Sequence, residues 1–330
     1  MSNNKPFTKD IILLDDIEHV VSNIVEQLRQ DILHRFKRNG AVVGISGGID
    51  SSVCFALAAK AFGAEKVLGV MLPEKDSSPD SEMLARELAA KFGVKAIKEE
   101  ITDALSGFGC YERRDEAVKR VFPEYDPKTW KMKIGIRQSG LFNNLPPIFN
   151  LTVIDKDGNS KDKILPVNEY LQIVAASNFK QRTRMSMLYY HAEALHYAVI
   201  GTPNKHEQEQ GFFVKYGDGA GDVMPIGNLY KTQVYQLAEY LGVPKEIINR
   251  TPTTDTYSAE QTQEEFFYQL PFSLMDRFWY GFENGYPAGE VAAVMGETTE
   301  RVESLYRNFE RKRKTTEYLR MPPVRDYYQD

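Results

Sequence analysis

The chain has 330 residues, of which 42% are hydrophobic and 12% aromatic, which excludes a disordered or low-complexity protein. At this length folding buries roughly three quarters of the unfolded surface, so no disulfide or zinc staple is needed. The two cysteines, Cys54 and Cys110, exclude a disulfide framework and a Cys-cluster metal site, and fit a reducing compartment. Forty-one basic against 46 acidic residues leave a net charge of −5, which argues against a dedicated nucleic-acid binder. Met1 to Phe7 lacks the apolar core of a signal peptide, and no apolar run approaches the ~18 residues of a membrane span. The chain therefore reads as soluble and cytoplasmic.

Residues 11–38 predict a helix, because Ile12, Ile17, Val20, Val21, Ile24, Leu28, Ile32 and Phe36 recur at helical spacing until Gly40. Ala41 to Ile45 reads as a short buried strand, Ser46 to Asp50 as a turn, and Ser51 to Phe62 as a helix closed by Gly63. Val67 to Met71 gives a second strand, Asp80 to Phe92 a second helix, and Val94 to Ile97 a third strand. Strands alternating with helices of about ten residues predict an α/β fold: an open, mainly parallel twisted sheet with helices on both faces.

From 104 to 177 the rhythm breaks. Phe122 to Trp130 is rich in aromatics and Pro, and Leu145-Pro146-Pro147 punctuates again. Leu151 to Ile154 and Lys163 to Val167 flank Lys156-Asp157-Gly158-Asn159-Ser160, a hairpin signal. This stretch is expected to be an insertion, a cover or dimer-edge element inside one domain spanning 1–330. The helical period returns at Asn178 to Leu195, followed by a strand at Tyr197 to Ile200 and a helix at Lys231 to Leu241. Residues 178–258 thus supply the second half of the sheet, and 259–330 a helical C-terminus.

The sharpest local signal is Gly44-Ile45-Ser46-Gly47-Gly48-Ile49-Asp50-Ser51, at the exit of the first strand and the start of a helix. Two glycines let backbone amides approach an anion, and the helix N-terminus and the Ser46 and Ser51 hydroxyls add donors. Asp50 would repel a bare phosphate, so its presence points to a bridging Mg²⁺. There is no Walker A pattern and no G-x-G-x-x-G before a helix, which excludes P-loop and Rossmann readings.

At these residues the sequence resembles the N-type ATP pyrophosphatases, whose S-G-G-x-D-S loop holds the pyrophosphate leaving group. The resemblance implies an adenine nucleotide alpha-hydrolase-like fold and activation of an acceptor oxygen by AMP. Further blocks narrow it: Asn178 to Met185, Gly201 to Glu207, Gly211 to Gly219, Asp222 to Ile226, Leu229 to Gln233 and Pro252 to Asp255. Their order closely resembles the NAD synthetases, from about 40 to 100 and from 178 onward. That resemblance implies ATP-dependent amidation of deamido-NAD by ammonia through an adenylylated intermediate, by a homodimer with deamido-NAD at the subunit boundary. Carried over by position, it assigns the run Gly44 to Ser51, with Thr202, Lys231 and Thr253, to ATP. It assigns Asp50 and Glu207 to Mg²⁺, and Arg182, Lys215 and Asp222 to deamido-NAD. Asp50, Lys231 and Asp222 are the implied catalytic residues, with Asp218 a second candidate base for ammonia.

Taken singly, each of these residues has a plainer reading: Arg182, Lys215 and Lys231 as surface charges, Glu207 as a first-turn helix acid, Thr253 as a turn residue. The chain also departs from the family's pattern. Glu310-Arg311-Lys312-Arg313 stands where the family carries Glu-His-Lys-Arg, so Arg311 and Lys312 become the substrate-contacting pair. Gln263 stands at the acid of the family's Q-T-D-E. Residues 289–306 have helix-turn-helix spacing and the following helix is basic, but a helical hairpin packed on the sheet is the expected outcome. An RNA-sulfurating relative would need a reactive cysteine or an added RNA-binding domain, and Cys54 falls inside a helix. Neither cysteine suits a glutaminase, and with the loop beginning at Gly44 after one helix no such domain is expected upstream. Free ammonia is therefore the expected nucleophile, either directly or delivered by a separate glutaminase partner.

Overall fold

The computed structural model describes residues 5–138, 148–253 and 256–325. The first half runs α1 Ile17–Arg29, continued by a π turn Gln30–Arg35, then β1 Ala41–Gly44, α2 Ile49–Phe62, β2 Val67–Met71, α3 Pro79–Phe92 and β3 Lys95–Lys98. Next come α4 Thr102–Gly107, α5 Cys110–Val121, β4 Lys131–Gln138, β5 Ile148–Ile154 and β6 Ser160–Ile164. They are followed by α6 Val167–Leu195, β7 Ala198–Ile200, α7 Lys205–Gln210, α8 Lys231–Leu241 and α9 Lys245–Ile248. The chain closes with α10 Phe272–Glu283, α11 Ala288–Met295, α12 Thr299–Thr315 and α13 Glu317–Arg320.

The main sheet is parallel in the order β3-β2-β1-β7, with Ala41 opposite both Val67 and Ala198. Alternation along β1 splits the core. Ala41 and Val43 face Val21 and Val25 of α1, Val53 and Leu57 of α2, and Val234 and Leu237 of α8. Val42 turns the other way, toward Met185 and Leu188 of α6 and Leu105 of α4. Burial on both faces is what lets β1, β2 and β7 be short and wholly apolar, whereas β3 at the sheet edge leaves Lys95 and Lys98 exposed. The winding steps outward from β1 to β3, then reverses to lay β7 on the far side of β1. That reversal opens a crevice at the C-terminal ends of β1 and β7.

The stretch 104–177 is more ordered than the sequence suggests. It holds α4, α5 and an antiparallel sheet in the order β4-β5-β6, and the expected hairpin joins β5 to β6 around Asp157-Gly158. Helix α6 starts at Val167, not Asn178, directly after Pro166. One apolar stripe did not reveal it because the helix serves two cores. Ile173 packs with Leu151 and Val153 of the small sheet, whereas Met185 and Leu188 pack on the main one. The first helix, expected over 11–38, is confined to Ile17–Arg29 and its π turn, with Asp16 capping it by accepting from the His19 N–H. The C-terminal hairpin α11–α12 packs on α10 around the buried Trp279, not on the sheet. Along α12 several basic side chains are paired with acids: Arg301 with Glu297, Arg307 with Glu303, Arg313 with Glu209 and Lys314 with Glu310. Leu145-Pro146-Pro147 and Thr254-Asp255 lie outside the described residues. Among the described residues no helix is long and apolar enough to cross a membrane.

Candidate active site

The loop after β1 continues the sheet for one step, with the Ile45 N–H donating to Val70 O at 3.0 Å, and then turns at Gly47. Gly47 has φ +72°, and a Cβ there would stand 2.8 Å from the Ser81 carbonyl oxygen. Only glycine fits both the conformation and the space. Ser51 Oγ donates to Gly48 O at 3.0 Å and lies 3.1 Å from Ser46 Oγ, so the two hydroxyls brace the loop across its mouth. Gly48 is the N-cap of α2, which leaves the first amides of that helix facing the crevice. Gly44, Ile45, Ser46, Gly48, Ile49, Asp50 and Ser51 line a cleft of about 600 Å³, together with Thr202, Glu207 and Thr253. Gly47 shapes the turn from behind.

Opposite the loop, the segment after β7 enters α7 through a capping box. Asn204 Oδ1 accepts from the His206 and Glu207 N–H groups, and Glu207 Oε2 accepts from the Asn204 N–H at 2.9 Å. The Asn204 amide also donates to Asp50 Oδ1 at 3.2 Å, which ties the two strand ends together. Asp50 Oδ2 receives Lys231 Nζ at 2.5 Å, and the Lys231 side chain is wholly buried. Glu207 is thus both a helix-capping acid and a cleft acid. Burial, with the Asp50 carboxylate beside it, pushes Glu207 up to about 8. Burial opposes the charge on Lys231 too, but Asp50 and Glu207 together carry it above its ordinary value. Two carboxylates share one ammonium here. A second carboxyl beside a paired one, at the edge of a nucleotide-sized cleft, is a donor set that a hard divalent cation would deprotonate and bind. Among the described residues no group of three or more His, Cys, Asp and Glu gathers for a metal, so phosphate and water oxygens would have to complete the shell.

The residues implied for deamido-NAD lie outside this cleft. Arg182 Nε donates to Lys215 O at 3.2 Å, and Lys215 Nζ donates to Tyr318 O and Met321 O at 2.8 Å each, tying that loop to α13. Asp222 is exposed, and its Oδ2 accepts from the Val199 N–H at 2.8 Å, which satisfies the free edge of β7. Lys312 stands behind the cleft wall, with Nζ 3.2 Å from Phe267 O and 4.4 Å from the Phe267 ring centre. Burial, with Arg311 beside it, pulls Lys312 down to about 8.

Other polar residues line the cleft that the sequence did not single out. Arg184 Nε donates to Leu72 O at 3.1 Å, and Arg250 donates twice to Ser81 Oγ at 3.2 Å. Asp218, which the sequence offered as a second candidate base, lies in the same wall, pushed by burial up to about 6. The only signal available for Arg184 was its spacing: two residues from Arg182, it must leave the helix on a different face.

A backbone cradle at a topological switch point, with an acid pair and a buried lysine beside it, defines a nucleotide-binding α/β enzyme. The chain belongs to the NAD synthase family, whose model matches residues 20–123 and 151–316. It is 50% identical over 309 residues to the NH(3)-dependent NAD(+) synthetase of Mesorhizobium japonicum, covering 94% of this chain and 96% of that one. It is 44% identical over 324 residues to the NH(3)-dependent NAD(+) synthetase of Rhizobium rhizogenes, covering 98% and 97%. Its fold resembles that of the NH3-dependent NAD synthetase from Campylobacter jejuni, with a TM-score of 0.61 at 20% identity, over 95% of this chain and 100% of that one. The family match passes over residues 124–150, which include β4.

Proposed function

We propose that this protein is an ammonia-dependent NAD synthetase. In the first step an oxygen of the nicotinate carboxylate of deamido-NAD attacks the α-phosphorus of ATP, and the bond to pyrophosphate breaks. In the second, ammonia attacks the activated carbonyl carbon, the bond to AMP breaks, and the nitrogen loses a proton to leave the amide. The division is chemically necessary, because a carboxylate cannot expel oxide, whereas AMP leaves readily. The observation that carries the reading is the joining of Asp50, Glu207 and Lys231 beside the amide cradle of the Ser46–Ser51 loop.

The cradle binds the polyphosphate, and Thr202 and Thr253 on the facing walls hold the rest of the nucleotide. Lys231 stabilises the charge that builds on the departing pyrophosphate. Asp50 and Glu207 are the residues that would hold Mg²⁺, which supplies positive charge beside the phosphates when bound. Arg182, Lys215 and Asp222 lie outside the nucleotide cleft, as expected if deamido-NAD runs along a separate surface closed by a second copy in a homodimer. Arg311 and Lys312 would meet it from the C-terminal side. Asp218, in the cleft wall and raised to about 6, is better placed than Asp222 to take the proton from ammonia. We further read the chain as one cytoplasmic synthetase domain with no role for nucleic acid.

Incubation with ATP, Mg²⁺, deamido-NAD and ammonium, followed by mass analysis, tests the reading. NAD, AMP and pyrophosphate should appear together, and ADP with phosphate would refute it.

A further inference from the structure

Helix α10 carries two carboxylates, Asp276 and Glu283, seven residues apart. Seven residues make about two turns, roughly 10 Å of rise, and return to nearly the same face. Each grips two other segments. Asp276 Oδ1 lies 2.5 Å from His206 Nε2, while its Oδ2 accepts from the Thr232 N–H at 2.7 Å and from the Thr232 hydroxyl at 2.5 Å. Glu283 Oε1 pairs with Lys205 Nζ at 2.7 Å, and its Oε2 accepts from the Tyr230 hydroxyl at 2.7 Å.

The four partners are not scattered. Lys205 and His206 immediately precede Glu207 in α7, and Tyr230 and Thr232 bracket Lys231 at the start of α8. Thr232 lies in the first turn of α8, where backbone N–H groups lack an intrahelical acceptor, so Asp276 caps that helix from a distant part of the chain. His206 and Asp276 are both fully buried, and Trp279 packs against the His206 ring at 5.9 Å between centres. The helix that holds these groups is itself fixed in the C-terminal core by Phe272, Met275, Phe278 and Trp279.

We propose that Asp276 and Glu283 are positioning residues, a double clasp by which the C-terminal helices set the spacing of Glu207 and Lys231 around Asp50. The inference rests on the reading of those three residues as the ATP-side machinery, and it gives the C-terminal helical unit a part in a site to which it adds no reacting group. Glu207 sits on a six-residue helix and Lys231 on the first residue of another. Helix α7 has fewer than two turns, Lys231 stands at the terminal position of α8, and small displacements of reacting groups are costly in rate.

The test uses Asp276→Asn, Glu283→Gln and Thr232→Val in the full chain. Turnover per folded molecule is measured by pyrophosphate release, and ATP binding by calorimetry with and without Mg²⁺. Both carboxylate variants should lower kcat about tenfold or more while KM for ATP changes less than about threefold. The gain in ATP affinity on adding Mg²⁺ should shrink at least about fivefold in both, whereas ATP binding without Mg²⁺ stays close to that of the wild type. Thr232→Val removes one hydroxyl and keeps the side-chain shape, so it guards against failure to fold, and it should lower kcat about threefold. A clasp that merely holds α10 in place would lower the melting temperature and leave kcat and the Mg²⁺-dependent gain unchanged, which would overturn the proposal. If Asp50→Asn abolishes turnover in the same assay while the clasp variants behave as wild type, the clasp falls and the reading of the active site stands. An active Asp50→Asn variant would bring down the reading itself.

Discussion

Replacing Asp50 by Asn removes one charge and reverses one hydrogen-bonding group. Both Asp50 oxygens accept, one from the Asn204 amide at 3.2 Å and one from Lys231 Nζ at 2.5 Å. An asparagine offers a single acceptor, so however its amide is turned, its NH₂ faces a donor. If it faces Lys231, a fully buried ammonium is left with only Glu207 for compensation. Breaking a buried pair by removing one partner costs about 3–5 kcal/mol. Asp50 is 17% exposed and Glu207 remains, so the lower end, about 3 kcal/mol, is expected in urea unfolding. The catalytic loss is separate. Removing a carboxylate that would hold Mg²⁺ beside the polyphosphate should cost about 4 kcal/mol in the transition state, roughly a thousandfold in pyrophosphate release per folded molecule. The double variant Asp50→Asn with Lys231→Met separates the two effects. Its stability should return to within about 1 kcal/mol of wild type, because Glu207, already pushed up to about 8, then keeps its proton and no unpaired charge remains, while its turnover stays at the floor. An Asp50→Asn protein of unchanged stability, or one keeping more than about a tenth of its turnover at saturating Mg²⁺, would refute the reasoning.

Lys180 lies between Glu74 and Asp76 at 2.9 Å from each and is 1% exposed, so Lys180→Met should cost about 3 kcal/mol or more in chemical denaturation; a change below about 1 kcal/mol would show the network to be dispensable. The folded Lys312 amine is held near 8 against an ordinary 10.5, so between those values the unfolded chain binds more protons and stability rises with pH. Lys312→Met should flatten that rise in unfolding measured from pH 7 to about 10.4, and an unaltered slope would count against the burial of this amine. The β5–β6 hairpin contributes nothing to the cleft, so a variant lacking Lys156 to Asp162 should still release pyrophosphate; a folded but silent variant would mean that the active site is elsewhere. Cys54 and Cys110 are buried, and burial raises both thiols, so Cys54→Ala with Cys110→Ala should keep ammonium-dependent turnover. Glutamine should not replace ammonium, and robust turnover on ammonia-free glutamine would overturn the assignment of the nitrogen source.

What the sequence revealed follows from how locally each feature is determined. The strands Ala41–Gly44 and Val67–Met71 are continuous apolar runs ended by glycine or proline, and such runs have one reading when helices alternate with them. The phosphate loop is a contiguous motif, as is the Asn204–Glu207 capping box, whose N-x-x-E pattern is visible in the chain itself. Helix α6 failed that test at its N-terminal half, because residues 167–177 face a different core from residues 178–195 and no single stripe runs its length. The direction of Arg182 and Arg184 could not be read for the same reason. The double grip of α10 was hidden for another: its six participants come from three segments, and no spacing rule connects residue 206 with residue 276.

Two buried charge clusters flank the nucleotide cleft, and their balance separates their roles. In one, Glu74, Asp76 and Asp115 meet Lys180 and Arg114, Tyr111 donates to Glu74, and the Lys75 ammonium stands 3.6 Å from the Tyr111 ring centre. Three acids face two buried cations, and every acid is met at 2.9 Å or less: Glu74 by Lys180 and Tyr111, Asp76 by Lys180 and Arg114, Asp115 by Arg114. The effect of this mutual pairing is to lock the segment after β2 to α5 and α6. In the other, Asp50 and Glu207 face Lys231 alone, and Glu207 is driven up to about 8. That imbalance costs stability for as long as no further cation arrives, and a perturbed acid lining a cleft is the mark of a functional site. The cluster whose acids are all paired is scaffold. We read the other, at the point where the sheet reverses its winding, as the place where the substrate and its counter-ion would complete the charge.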